Sequence, residues 1–213
     1  PKWSLEGYKA VLQSDMFKIY LPNTAFNAIM SSIFTMPVAA LAAYSFSRYH
    51  FRWSKALQVA ILGLMMIPGL TNLVAIYRIG SVLKLLNTHL ILIMIYTAGG
   101  IAFTIWIVKS FFDAIPREME EAALIDGCSP LMSLRHIVIP LAMPGLVAGF
   151  LMNFVSTWNE FLAAVVLLTA NSARTATVGL YDFQSMYEIA YHILSAACII
   201  IMMPVVILFV IAR

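Results

Sequence analysis

Pro116–Pro140 reads PREMEEAALIDGCSPLMSLRHIVIP, a polar stretch set between segments apolar enough to cross a bilayer. Pro116 suits the first turn of a helix, where its missing N–H would have no intrahelical partner. Glu118, Glu120 and Glu121 place negative charge beside the positive end of that helix's dipole. Ala122 and Ala123 are strong helix formers of little bulk, and Gly127 can take the left-handed conformation that ends a helix just past Asp126. Ser129 followed by Pro130 is a second cap-and-start signal. Leu131, Leu134 and Val138 then recur at helical spacing until Pro140, which is expected to forbid continuation. The loop, about 113–140, is therefore predicted to hold two short helices joined by a glycine elbow.

The flanks decide what this loop is mounted on. The chain has 213 residues, 62% hydrophobic and only 11% charged, and its mean hydropathy is +0.90. A water-soluble domain of this length needs a much larger charged surface, so an all-α polytopic transmembrane helical bundle is expected. The net charge of +3 is spread over loops, with no basic patch of the kind nucleic acid requires. Cys128 and Cys198 lack C-x-x-C spacing, and His50, His89, His136 and His192 are scattered. Two free thiols and no zinc site follow, and no cofactor is expected. Pro1 opens on a polar and aromatic stretch rather than a basic n-region, so no cleavable signal is read.

Five spans are predicted at about 20 residues per crossing. They cover about Asn23 to Tyr44, Ala56 to Tyr77, His89 to Phe111, Leu141 to Leu168 and Ile189 to Ala212. Residues 1–20 alternate charge and apolar bulk and read as a surface or interfacial helix, with 21–213 as the transmembrane domain. Ala39, Ala40, Ala42 and Ala43 permit close helix approach in the first span. Arg48, His50, Arg52 and Lys55 follow without an acid, which marks a cytoplasmic loop. Pro68-Gly69, Thr71 and Asn72 interrupt the second span and are expected to face the protein interior, where freed backbone groups find partners. The fourth span is long for one straight crossing, so a tilted or broken helix is expected. The Pro116–Pro140 loop falls on the same side as the Arg48 loop, two crossings on.

Glu121-Ala122-Ala123, three residues, Gly127, nine residues, then Ile137-Val138-Ile139-Pro140 resembles the EAA motif of binding-protein-dependent ABC importer permeases. The usual ending has Leu where this chain has Ile139. Phe111-Phe112-Asp113-Ala114-Ile115-Pro116 before it and Trp158-Asn159-Glu160-Phe161 after it resemble the carbohydrate-uptake branch, that of the maltose-type sugar permeases. The resemblance runs from about Leu21 to the end. It implies a type I ABC importer permease fold in a bacterial or archaeal cytoplasmic (inner) membrane, with one further span before Pro1 and a short tail after Arg213. It also implies partners: cytoplasmic ABC ATPase subunits, a second permease, same or related, and an extracytoplasmic solute-binding protein, besides membrane lipid. No G-x-x-x-x-G-K-[ST] phosphate cradle occurs in the chain, so this is a non-catalytic subunit whose energy comes from another polypeptide.

In that reading Glu121, Ala122, Ala123, Asp126, Gly127 and Pro140 couple the chain to the ATPase. The alanines allow close approach, Gly127 sets the elbow, and Glu121 and Asp126 supply polar contacts. Pathway candidates are Asn153, Trp158, Asn159 and Glu160, which combine hydrogen-bonding groups with an aromatic plane suited to a polyhydroxylated substrate. A second reading puts Glu160 at the outer interface or in inter-helix packing, since it lies roughly 22 Å along a helix from Gly145. The alternatives within transport are an importer for an amino acid, phosphate or other solute, and a secondary transporter. The latter calls for inverted repeats and several intramembrane charges, neither of which is evident in the sequence.

Overall fold

The computed structural model describes residues 5–183 and 191–212, so Ile189 and Arg213, named above, lie outside the described residues. Every regular element among the described residues is helical. They are α1 (Glu6–Gln13), a π-helical stretch Met16–Tyr20 running into α2 (Leu21–Arg48), α3 (Ser54–Met65), α4 (Gly69–Val82) and α5 (His89–Asp113). Then come α6 (Glu118–Ile125), α7 (Pro130–Ser133), a second π-helical stretch Leu134–Val138 and α8 (Ile139–Leu141). The chain closes with α9 (Met143–Trp158), α10 (Leu162–Leu167), a 3-10 turn at Asn171–Ala173, α11 (Ala176–Asp182) and α12 (Tyr191–Ile211).

Three of these are long and apolar enough to cross a membrane: Met16–Arg48, α5 and α12. The number reaches five when the broken pairs α3 with α4, and Pro130–Leu141 with α9, are each counted as one span. At 1.5 Å per residue α3 and α4 reach only about 18 and 21 Å, short of the hydrocarbon layer. The expected second span is thus two helices, and the expectation that its breakers face inward is corrected. No residue of α3 is buried, and residues 68–72 are exposed. The physical reason is local satisfaction. Met66 and Ile67 donate to Gly63 and Leu64 three residues back, at 3.1 and 3.3 Å, so the helix end closes on itself.

A further expectation is corrected by a π-helical stretch. The helix after Ser129 passes through Pro140 to Leu141, while the expected first span, about Asn23 to Tyr44, lies within a longer helix that starts at Met16. A proline inside an α-helix removes one hydrogen bond and clashes with the carbonyl four residues back. Here each proline stands two residues after a π-helical stretch. Leu21 N–H bonds the Met16 carbonyl before Pro22, and Ile139 N–H bonds the Leu134 carbonyl before Pro140. The wider turn moves the obstructing carbonyl aside, and the helix continues. Its break comes at Ala142, where α9 turns away by 77°.

The chain forms two compact units. One comprises Pro1–Met30, Gly69–Ile95 and Phe154–Arg213. In it α1 lies close on α12, since a Cβ on Gly7 would stand 2.6 Å from the His192 carbonyl oxygen. Residues around 171–176 are tied to the start of α2. Asn23 donates to the carbonyls of Ser172 and Arg174, both at 2.9 Å, Thr24 accepts from Ala176 N–H at 2.8 Å, and Tyr20 donates to Asn171.

The other unit comprises Ser31–Pro68 and Tyr96–Asn153. Its core joins Ala39, Ala40, Ala43 and Tyr44 of α2 to Ile105, Val108 and Phe112 of α5 and to Leu134 and Val138 of the second π-helical stretch. The small residues of α2 therefore face other helices, as close packing in a membrane requires. Helix α5 runs through Gly99-Gly100 without a break. Gly100 instead makes room for a polar contact. A Cβ there would lie 1.8 Å from Asn153 Oδ1, whose amide donates to Ser32 Oγ at 3.0 Å.

Candidate functional site

The polar loop folds as a short helix, a sharp elbow and a second helix. Helix α6 carries Glu118, Glu120 and Glu121 in its first turn, where the free N–H groups favour carboxylates. It ends in a Schellman closure. Cys128 N–H bonds the Ala123 carbonyl at 2.9 Å and Gly127 N–H bonds the Leu124 carbonyl at 3.1 Å. That pattern needs a left-handed residue at the elbow, and Gly127 supplies it with φ of +89°. Two residues later Ser129 caps the next helix by accepting from Met132 N–H at 3.3 Å, with Pro130 in its first turn.

The elbow presents a mixed surface. Glu121, Ala122, Asp126, Gly127 and Pro140 are exposed, and Ala123 is buried. Beside the polar groups stand apolar side chains with no cover from this chain: Ile125 is 86% exposed and Leu131 68%. Such a bare apolar pair beside carboxylates marks a surface suited to contact with another protein.

The inner side of α6 holds what the sequence reading missed. Glu120 is buried, pairs with Arg48 Nε, and accepts from Tyr44 Oη at 2.8 Å. Arg48 also donates to the Ile115 carbonyl at 3.1 Å and to Ser47 Oγ at 3.2 Å, while Arg117 donates to the Ser47 carbonyl at 3.0 Å. Removing one member of such a buried pair strands the other charge and costs about 3–5 kcal/mol. Glu120 lies three residues before Ala123, on the same helix face, but the sequence reading gave Ala123 to the ATPase, so nothing local marked this carboxylate for burial. A cleft of about 240 Å³ opens beside the pair, with Ser133 in its wall.

The four pathway candidates take different places. Asn153 is buried against Ser32. Trp158 is also buried, stacks on Phe154 with centroids 5.3 Å apart, and donates its indole N–H to the Ile201 carbonyl at 3.2 Å. Asn159 is exposed and donates back to the Val155 carbonyl at 2.8 Å. Glu160 accepts from the N–H groups of Ala163 and Ala164 at 2.8 and 3.2 Å, and its own carbonyl accepts from Thr177. Glu160 and Asn159 thus occupy the break between α9 and α10, which the sequence anticipated as a broken fourth span.

Comparison with known proteins returns one family over most of the chain. Residues 35–213 match the binding-protein-dependent transport system inner membrane component. The trehalose/maltose transport system permease protein MalG of Thermococcus litoralis is 33% identical over 210 residues, 97% of this chain and 76% of that protein. The sulfoquinovosyl glycerol transport system permease protein SmoH of Agrobacterium fabrum is 32% identical over 208 residues, 98% of this chain and 73% of its own. Among solved structures, a chain of a bacterial ABC transporter involved in the import of the acidic polysaccharide alginate superposes with a TM-score of 0.81 at 25% identity. The match covers 96% of this chain and 77% of that one.

Proposed function

Because this chain belongs to the family of binding-protein-dependent transport inner membrane components, we propose that it is the carbohydrate-importing permease of an ATP-binding-cassette transporter, driven through the α6 elbow by a separate ATPase. It is a multi-pass inner-membrane subunit with no catalytic centre of its own. Its solute is a sugar or sugar glycoside, the class named in both relatives above. It works with cytoplasmic ATPase subunits, a second permease, same or related, and an extracytoplasmic solute-binding protein.

One observation carries the docking reading. The EAA-like stretch folds into a small projecting elbow that leaves Glu121, Ala122, Asp126, Ile125 and Leu131 without cover, on a rigid turn fixed by Gly127. A groove on the ATPase can receive that elbow, with Ala122 admitting close approach, Ile125 and Leu131 burying apolar surface, and the two carboxylates setting orientation. Nucleotide-driven closure of the ATPases then moves the elbow as one body, and the helices attached to it follow.

The test is reconstitution of the permease with the ABC ATPase and solute-binding subunits that co-purify with it. ATP-dependent uptake into proteoliposomes is measured for maltose, trehalose, sulfoquinovosyl glycerol and, as contrast, methionine and phosphate. Uptake of at least one sugar, with ATP hydrolysis lost when the permease is omitted, is expected. Uptake confined to methionine or phosphate would overturn the substrate class, and failure of any ATPase to assemble would overturn the coupling.

A further inference from the structure

We propose that Glu120 and Arg48 are positioning residues that form a strut, carrying displacement of the α6 elbow into the end of α2. This rests on the elbow's taking up motion from an ATPase, and adds the route by which the motion leaves it.

Of the three acids in the first turn of α6, Glu118 and Glu121 are exposed and serve the helix dipole from there. Glu120 need not be buried for that purpose. A carboxylate withdrawn from water is costly unless its oxygens are matched, and here each takes a separate donor from α2: Oε1 from Arg48 Nε and Oε2 from Tyr44 Oη. Both partner side chains in the ion pair are 9% exposed. The link is doubled on either side, by Arg48 on the Ile115 carbonyl and by Arg117 on the Ser47 carbonyl. Residues 115–120 are thereby bound to residues 44–48 through directional bonds pointing both ways along the contact.

Apolar packing would not do the same work. The other buried residue of α6 is Ala123, whose methyl group can slide on its neighbours. Apolar contact with α2 comes from Leu134 and Val138 further along the loop, whereas beside α6 itself a cleft interrupts it, so there the bonds make the link. Charge-assisted hydrogen bonds resist both sliding and separation, so α6 and the end of α2 move as one piece.

The test uses electron-spin distance measurement in the full transporter complex. Spin labels are placed on the native Cys128, just past the elbow, and on Arg52→Cys beyond α2, with Cys198→Ser removing the other thiol. Distances are compared without nucleotide and with ATP plus vanadate. In the otherwise native chain the distance is expected to stay constant between the two states while ATP hydrolysis proceeds. In Glu120→Gln and in Arg48→Gln it is expected to shift on adding ATP and vanadate, and in Arg48→Glu with Glu120→Arg to return to constancy. A shift in the native chain as large as in Glu120→Gln, or constancy in all variants, would overturn the strut. Should the single variants fail to assemble, Tyr44→Phe, which removes only the donor to Oε2, takes their place: a shift there is expected, and constancy there overturns the strut. A native complex that hydrolyses ATP but shifts sinks only the strut, whereas one that never assembles with an ATPase sinks the docking reading as well.

Discussion

Replacing Gly127 with valine should uncouple ATP hydrolysis from uptake without unseating the chain from the membrane. The cost follows from backbone geometry alone. Gly127 has φ of +89°, and a Cβ built there meets nothing within 4 Å, so the Cβ itself clashes with no other part of the protein. What remains is the strain of a left-handed residue with a branched Cβ, about 1–3 kcal/mol. Spread over the equilibrium between a formed and an unformed elbow, that is about 5- to 150-fold. Unforming it releases the bonds from Cys128 N–H to Ala123 and from Gly127 N–H to Leu124, so α6 frays at its C-terminal end, the end proposed to dock on the ATPase. The assay is the ratio of solute imported to ATP hydrolysed in proteoliposomes, with Gly127→Asn beside Gly127→Val, since asparagine tolerates the left-handed region far better. Coupling should fall in the order Gly, Asn, Val. Full coupling in Gly127→Val, or an equal loss in Asn and Val, would refute the reasoning, because strain could not then be the cause.

Three other outcomes are expected. Ser129→Ala removes the cap that receives Met132 N–H and should cost about 1 kcal/mol, seen as faster amide exchange over residues 131–133 with transport largely kept. Gly100→Ala sets a methyl group against Asn153 Oδ1 and should destabilise the protein in detergent by about 1–3 kcal/mol. Adding Asn153→Ala should recover much of that loss, and no recovery would show that the two do not clash. Trp158→Phe keeps an aromatic face but loses the bond to the Ile201 carbonyl, worth about 0.5–1.5 kcal/mol, and leaves a cavity where the rest of the buried indole stood, for a total of about 2–4 kcal/mol. Thermal stability should fall by that amount while the Michaelis constant for uptake is unchanged, and a raised constant would place the indole in the solute pathway instead.

Much of this was legible in the chain because the signals were local. Gly127 and Ser129-Pro130 announce a turn and a cap through chemistry confined to a few residues, and the elbow is found where they lie. Apolar length likewise gave α5 and α12, which need no partner to be helical. Pro140 misled, since the rule that proline ends a helix assumes α-helical spacing before it, and a wider turn leaves no mark in residue type. Pro68 misled for the opposite reason: its neighbours close the helix end themselves, so no buried setting is required. Glu120 and Glu121 are adjacent and identical in chemistry, and only their phase on the helix separates the carboxylate held by Arg48 from the one facing outward. That distinction depends on residue 48, seventy-two positions away.

The two wide turns before Pro22 and Pro140 bear on which insertions and deletions the gene can tolerate. Each holds one residue more than an ordinary helical turn, so everything downstream is rotated by about 100° from where plain α-helical counting would put it. Losing a single codon between Leu134 and Val138 would do two kinds of harm together. It would drive a prolyl ring into a carbonyl, and it would turn the buried side of the segment, marked by Leu134 and Val138, toward the wrong neighbours. Drift in length should therefore be purged at these two places and collect elsewhere, in connections such as residues 49–53, where no such phase is kept.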